Sequence, residues 1–64
     1  MNIEEVKQLA KDGQRDEAVA ILLQMLESGA EEREAVLLEL GAVYYAKGDT
    51  VQALNYLNEV MRIN

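Results

Sequence analysis

Apolar residues recur along the chain at the three- and four-residue spacing of α-helices, and glycines interrupt this pattern. Gly13, Gly29 and Gly48 each follow a helical stretch. The pattern predicts four helices, over residues 2–12, 15–28, 31–47 and 50–63. No stretch between the glycines alternates apolar and polar residues as a strand would. Because the connections are short, each helix should run antiparallel to the one before it.

The helix ends and one interior glycine add detail to this prediction. Asn2 and Glu5 have the spacing of a capping box at the start of the first helix. Asp49 or Thr50 can cap the fourth helix. Gly41 lies inside the third helix, where glycine costs about 1 kcal/mol relative to alanine. We therefore expect Gly41 to permit a close helix crossing rather than a break.

The chain is similar to itself at an offset of 35 residues. At this offset Gly13 overlays Gly48, Ala18 overlays Ala53, and Leu22 overlays Leu57. A helix–turn–helix unit that repeats at about this length is typical of solenoid proteins. The sequence thus predicts two copies of one unit, residues 1–29 and 30–64, within a single domain of 64 residues.

The second copy resembles a tetratricopeptide repeat (TPR). Leu37, Leu40-Gly41 and Tyr44 match that family's large residue, Leu-Gly and Tyr spacing, with Leu37 in place of the usual tryptophan. Its small, large and small core positions in the second helix are occupied by Ala53, Leu57 and Val60. The first copy is degenerate, with Glu5-Val6 where Leu-Gly would be. The resemblance implies an all-α fold of two TPR-like repeats, an α-solenoid fragment with right-handed superhelical stacking.

The resemblance also implies a function, a protein–protein interaction module. A peptide or a partner helix would bind a concave face formed by the first and third helices. The candidates to line that face are Lys7, Lys11, Leu38, Ala42 and Tyr45. The family's carboxylate clamp of lysines and asparagines is not expected, because Ile3 stands at the first lysine position and Lys7 at an asparagine position. The alternative for Lys7 and Lys11 is that both are simply solvated, with Lys7 paired to Glu4.

Composition narrows the function classes. The chain has no cysteine, histidine, proline, tryptophan or phenylalanine, which excludes a disulfide and a zinc site of Cys/His type. Twelve acidic against six basic residues give a net charge of −6, without the basic footprint of a nucleic-acid-binding protein. Adjacent carboxylates such as Glu4-Glu5 diverge around a helix, so no catalytic dyad is expected. We expect no enzymatic activity, no metal and no cofactor.

The start of the chain lacks the positive charge and apolar run of a signal peptide. The uncharged stretch over residues 18–26 is too short to span a bilayer, and no uncharged stretch of the chain is longer. We therefore expect a cytoplasmic protein with no membrane partner.

The fourth helix carries more apolar residues than one packing interface requires. Leu54, Met61 and Ile63 lie beside the stripe that the core positions already supply. A terminal repeat of a solenoid usually presents a polar outer face. Our hypothesis is a homodimer that buries these three residues against a second copy. The alternative function is a self-associating structural helical bundle, a fragment or a designed chain, with no ligand.

Overall fold

The structure is a computed structural model that describes residues 2–29 and 31–63. Its helices are α1 (Ile3–Lys11), α2 (Arg15–Glu27), α3 (Arg33–Ala46) and α4 (Thr50–Ile63). The prediction of an all-α fold of four helices is confirmed. The expected superhelical stacking of the two hairpins stays a prediction.

The predicted capping box opens α1. The Glu5 backbone N–H donates to Asn2 Oδ1 at 2.9 Å, and the Asn2 N–H donates to Glu5 Oε1 at 3.0 Å. Two of the N–H groups that the helix leaves unpaired at its start are therefore satisfied. Asp49 caps α4 in a similar way, since its Oδ1 accepts from the Gln52 N–H at 3.2 Å.

The start of α3 was predicted two residues too early. Glu31 and Glu32 form a turn, and the helix begins at Arg33. Glu32 has φ −92° and ψ 46°, outside the helical region, and its side chain makes no capping hydrogen bond. A glutamate pair resembles the first turn of a helix in sequence, but glutamate is not among the preferred N-cap residues.

The two hairpin turns have the same hydrogen bonds. The Gln14 N–H donates to the Leu9 carbonyl at 3.0 Å, and 35 residues later the Asp49 N–H donates to the Tyr44 carbonyl at 2.9 Å. In each turn the glycine N–H also donates to the carbonyl three residues earlier, that of Ala10 in the first turn and that of Tyr45 in the second. Both glycines have positive φ, 94° at position 13 and 86° at position 48. Together these bonds form a Schellman motif in each turn. The sequence repeat is thus also a repeat of backbone structure.

Helix α3 is central to the packing. It contacts α1, α2 and α4, whereas α4 contacts only α3 among the described helices. One cluster of apolar side chains from α1, α2 and α3 forms the main core. Its members are Ile3, Val6, Ala18, Val19, Leu22, Val36, Leu40 and Val43. Between α3 and α4 lies a smaller buried set: Leu37, Ala53 and Val60.

Gly41 lies at the close crossing of α3 and α4, as predicted. A Cβ atom at this position would be 3.1 Å from Leu57 Cδ2 and 3.4 Å from the Ala53 carbonyl oxygen. The first distance is tighter than ordinary van der Waals contact, so a side chain here would push Leu57 away. The absence of a side chain at position 41 lets α4 approach α3 closely.

A polar and aromatic cluster joins the two hairpins at one end. The rings of Tyr44 and Tyr56 are stacked, with centroids 5.6 Å apart and planes 6° from parallel. Lys47 Nζ lies 5.6 Å from the centre of the Tyr44 ring and also binds Asp16 at the start of α2. This hydrogen bond lowers the pKa of Asp16 and raises the pKa of Lys47. Burial, followed by the nearby Tyr44, raises the pKa of Tyr56.

Candidate functional site

A groove of about 450 Å³ runs between α1, the start of α2, and α3. Its lining consists of Lys7, Ala10, Lys11, Arg15, Glu39, Ala42, Val43 and Ala46. The residues on α1 and α3 are spaced by three or four positions, so each helix turns one face toward the groove. Three alanines among them leave room that larger side chains would fill.

Basic side chains surround one side of this groove. Lys7 and Lys11 come from α1 and Arg15 from the first residue of α2, whereas α3 contributes the single carboxylate Glu39. Half of the six basic residues of an acidic chain therefore line one groove. Three cationic groups against one carboxylate give the lining a net positive charge, so the groove favours anionic ligands over cationic ones.

The basic groups differ in how far they are already paired. Lys7 Nζ is 3.8 Å from Glu4 Oε1, the Glu4 side chain is largely exposed and that of Lys7 is half-exposed, so this contact is weak. Within the described part of the chain, neither Lys11 nor Arg15 forms an ion pair. Their charges are consequently available to a ligand in the groove.

The five candidate residues for the concave face separate into two groups. Lys7, Lys11 and Ala42 line the groove together. Leu38 and Tyr45 are exposed but do not belong to its lining. They lie nearer to α4, because at 100° per residue both are within about 60° of Gly41 around α3, whereas Ala42 is about 100° away.

Sequence reasoning did not find Arg15 or Glu39 as groove residues. Arg15 follows the turn at Gly13, and its approach to α3 depends on how the hairpin packs. Glu39 precedes Ala42 by three residues, and this helical spacing was the pattern that could have identified it.

Of the residues proposed for self-association, Leu54 and Met61 are exposed on α4. The side chain of Ile63, the third, lies outside the described residues. In the described ranges, no group of three or more acidic side chains is arranged to hold a metal ion. No helix built from these residues combines the length and apolar character needed to cross a membrane.

No family model, no curated protein and no solved structure matches the chain. The resemblance to tetratricopeptide repeats therefore stays a prediction, carried by Leu37, Leu40-Gly41 and Tyr44 and by the repeated turn. The features of the molecule that bear on its function are the groove and the exposed apolar residues.

Proposed function

We propose that the protein is an interaction module that binds an acidic peptide segment of a partner protein in the groove between α1 and α3. One observation carries this proposal: three basic side chains surround an alanine-lined groove on a chain whose net charge is −6. The proposal includes the cytoplasmic location expected from the sequence.

The charges favour an acidic ligand. Lys11 and Arg15 have no carboxylate partner in the described structure, so a ligand carboxylate does not have to displace an existing pair. The rest of the surface is acidic and repels an anionic peptide, so attraction is confined to the groove. Glu39 on the opposite side accepts a backbone N–H or a basic residue and would set the direction of the peptide.

The shape of the groove favours a narrow segment. Its volume, about 450 Å³, is at the lower end of the range for ligand sites, about 300–1,000 Å³. Ala10, Ala42 and Ala46 carry only methyl groups, so the main chain of a ligand can approach the helices closely. A few residues of an extended peptide fit this space better than a bulky partner surface.

Fluorescence anisotropy with a short labelled peptide of alternating glutamate and alanine tests the proposal. We expect saturable binding that weakens with added salt, because the Debye length falls from about 10 Å at 0.1 M to about 3 Å at 1 M. The variant Lys11→Glu should bind about five- to tenfold more weakly, since it replaces an attractive charge with a repulsive one. The lysine–alanine counterpart of the peptide is attracted to the acidic surface outside the groove, so Lys11→Glu should not weaken its binding.

Arg33→Glu is the matched control. It makes the same change in net charge, but Arg33 lies at the start of α3 and lines a different groove, between α2 and α4. Equal loss of binding in both variants would mean that only overall charge matters, and would contradict the proposed site. A bundle that only associates with itself would not bind the glutamate–alanine peptide in the groove.

A further inference from the structure

The α3–α4 hairpin has an apolar side that residues 2–29 and 31–63 leave exposed. Its residues, here called the far face, are Leu38, Tyr45, Leu54, Leu57 and Met61, with exposed fractions of 46%, 72%, 54%, 37% and 74%. At 100° per residue, the two from α3 and the three from α4 point to the same side of the contact made by Gly41 and Ala53. The stacked pair Tyr44 and Tyr56 lies on the opposite side.

In the first hairpin, a helix packs on the equivalent face. Shifted by 35 residues, the far face corresponds to Ile3, Ala10, Val19, Leu22 and Leu26. Three of these are buried and the other two are partly buried, because α3 packs against them. The same positions are therefore covered by a helix in one hairpin and exposed in the other.

We infer that the far face is a dimer interface, occupied by the far face of a second copy of this chain in a two-fold arrangement. Head-to-tail stacking, with α1 of one copy in the role of α3, does not fit. The α3 residues Leu40 and Val43 insert into the core, but their equivalents on α1 are the exposed polar residues Glu5 and Gln8. The apolar surface that best complements one far face is another far face.

Charge and size agree with this arrangement. Within α4 the two charged residues, Glu59 and Arg62, pair with each other at 3.1 Å, so the helix is neutral and the net charge of −6 lies elsewhere. Two copies thus meet through the least charged part of an acidic chain. The side of a hairpin of two fourteen-residue helices covers roughly 400 Å², about half the area per partner of a standard interface. We therefore expect a weak dimer with a dissociation constant in the micromolar range.

Sedimentation velocity from about 1 µM to about 500 µM tests this inference, a range that brackets a weak interface. The 7.2 kDa chain should shift reversibly to twice that mass. Leu54→Glu and Met61→Glu should each weaken dimerisation at least about tenfold, because each buries an unpaired charge at the interface. Both residues are exposed in the monomer, so helix content by circular dichroism should stay unchanged.

Val51→Asp is the control on the same helix. Val51 is 70% exposed, and its equivalent in the first hairpin is Asp16, whose side chain stays 88% exposed although Lys47 at the end of α3 reaches it. Val51 therefore lies at the edge of the surface that a packing helix covers. This variant should dimerise like the wild type. A wild-type chain that stays monomeric throughout would overturn the inference. Dimers that tolerate Leu54→Glu, or open-ended assembly, would overturn it as well.

Discussion

The two hairpins have the same turn and many of the same core positions, yet they differ in how those positions are used. Leu22 in α2 is fully buried, whereas its equivalent Leu57 in α4 is more than one-third exposed. The difference arises because α3 packs on one side of the first hairpin, whereas no described helix packs on the equivalent side of the second hairpin. An apolar residue at a repeat position is thus a core residue in one copy and a surface residue in the other.

Turn structure and burial are two separate properties of a repeat. The turn hydrogen bonds are local and recur in both hairpins whatever packs nearby. Burial depends on the next element along the stack. The hairpins are therefore equivalent in backbone structure and unequal in burial. Substitutions at equivalent positions should change the free energy of unfolding by unequal amounts.

The largest difference is expected between Leu22→Ala and Leu57→Ala. The first leaves a cavity in the main core and should reduce the free energy of unfolding by about 2–5 kcal/mol. The second removes a side chain that is partly solvated and should cost about 1 kcal/mol. Urea unfolding followed by circular dichroism at low micromolar concentration measures both in the monomer. Equal costs would mean that the two hairpins are equally covered.

A smaller effect is expected from exchanging the helix caps. Asp49 caps α4, but its equivalent Gln14 makes no side-chain cap on α2. Gln14→Asp should raise the free energy of unfolding by about 0.5–1 kcal/mol, and Asp49→Gln should lower it by a similar amount. Thermal unfolding of the two variants and the wild type measures the changes. A Gln14→Asp variant of unchanged stability, beside an Asp49→Gln variant of lower stability, would show that the two cap positions are not equivalent.

The smallest effect concerns the ion pair between the hairpins. Lys47 lowers the pKa of Asp16, so the folded chain binds fewer protons there than the unfolded chain. The stabilisation is present above the unfolded pKa, about 3.9, and is lost as the pH falls through the lowered folded value. Asp16→Asn should be slightly less stable than the wild type at pH 7 and equal to it near pH 2. Urea midpoints at both pH values measure this. Glu17 has no ion pair in the described structure, so Glu17→Gln should lose less stability at pH 7 than Asp16→Asn does.

Local features were largely predictable from the sequence. The capping box at Asn2, the glycine turns and the close crossing at Gly41 follow from residue types at fixed spacings. Each depends on a few neighbouring residues or on a helix face, and helical geometry relates these directly to sequence. The start of α3 was wrong because Glu31 and Glu32 have the charge of a first turn without the capping chemistry.

The groove was only partly predictable. The family resemblance implied all five candidates, and three of them, Lys7, Lys11 and Ala42, line the groove. Arg15 was not a candidate, because it reaches the groove through the packing of α2. Leu38 and Tyr45 were assigned to the groove from the family resemblance, whereas the packing of α4 beside Gly41 leaves them on the far face. Relations between helices depend on crossing geometry, which one sequence does not specify.

Because α3 is the one described helix that α4 contacts, detachment of α4 breaks a single interface between described helices. Local opening of this kind costs less free energy than global unfolding, so the amides of α4 should exchange with solvent faster than those buried around Leu22. Opening would uncover Leu37, Ala53 and Val60, the small apolar set beneath α4. Proteolysis and aggregation should therefore begin at α4. Any contact that stabilises α4 against α3 should slow both processes.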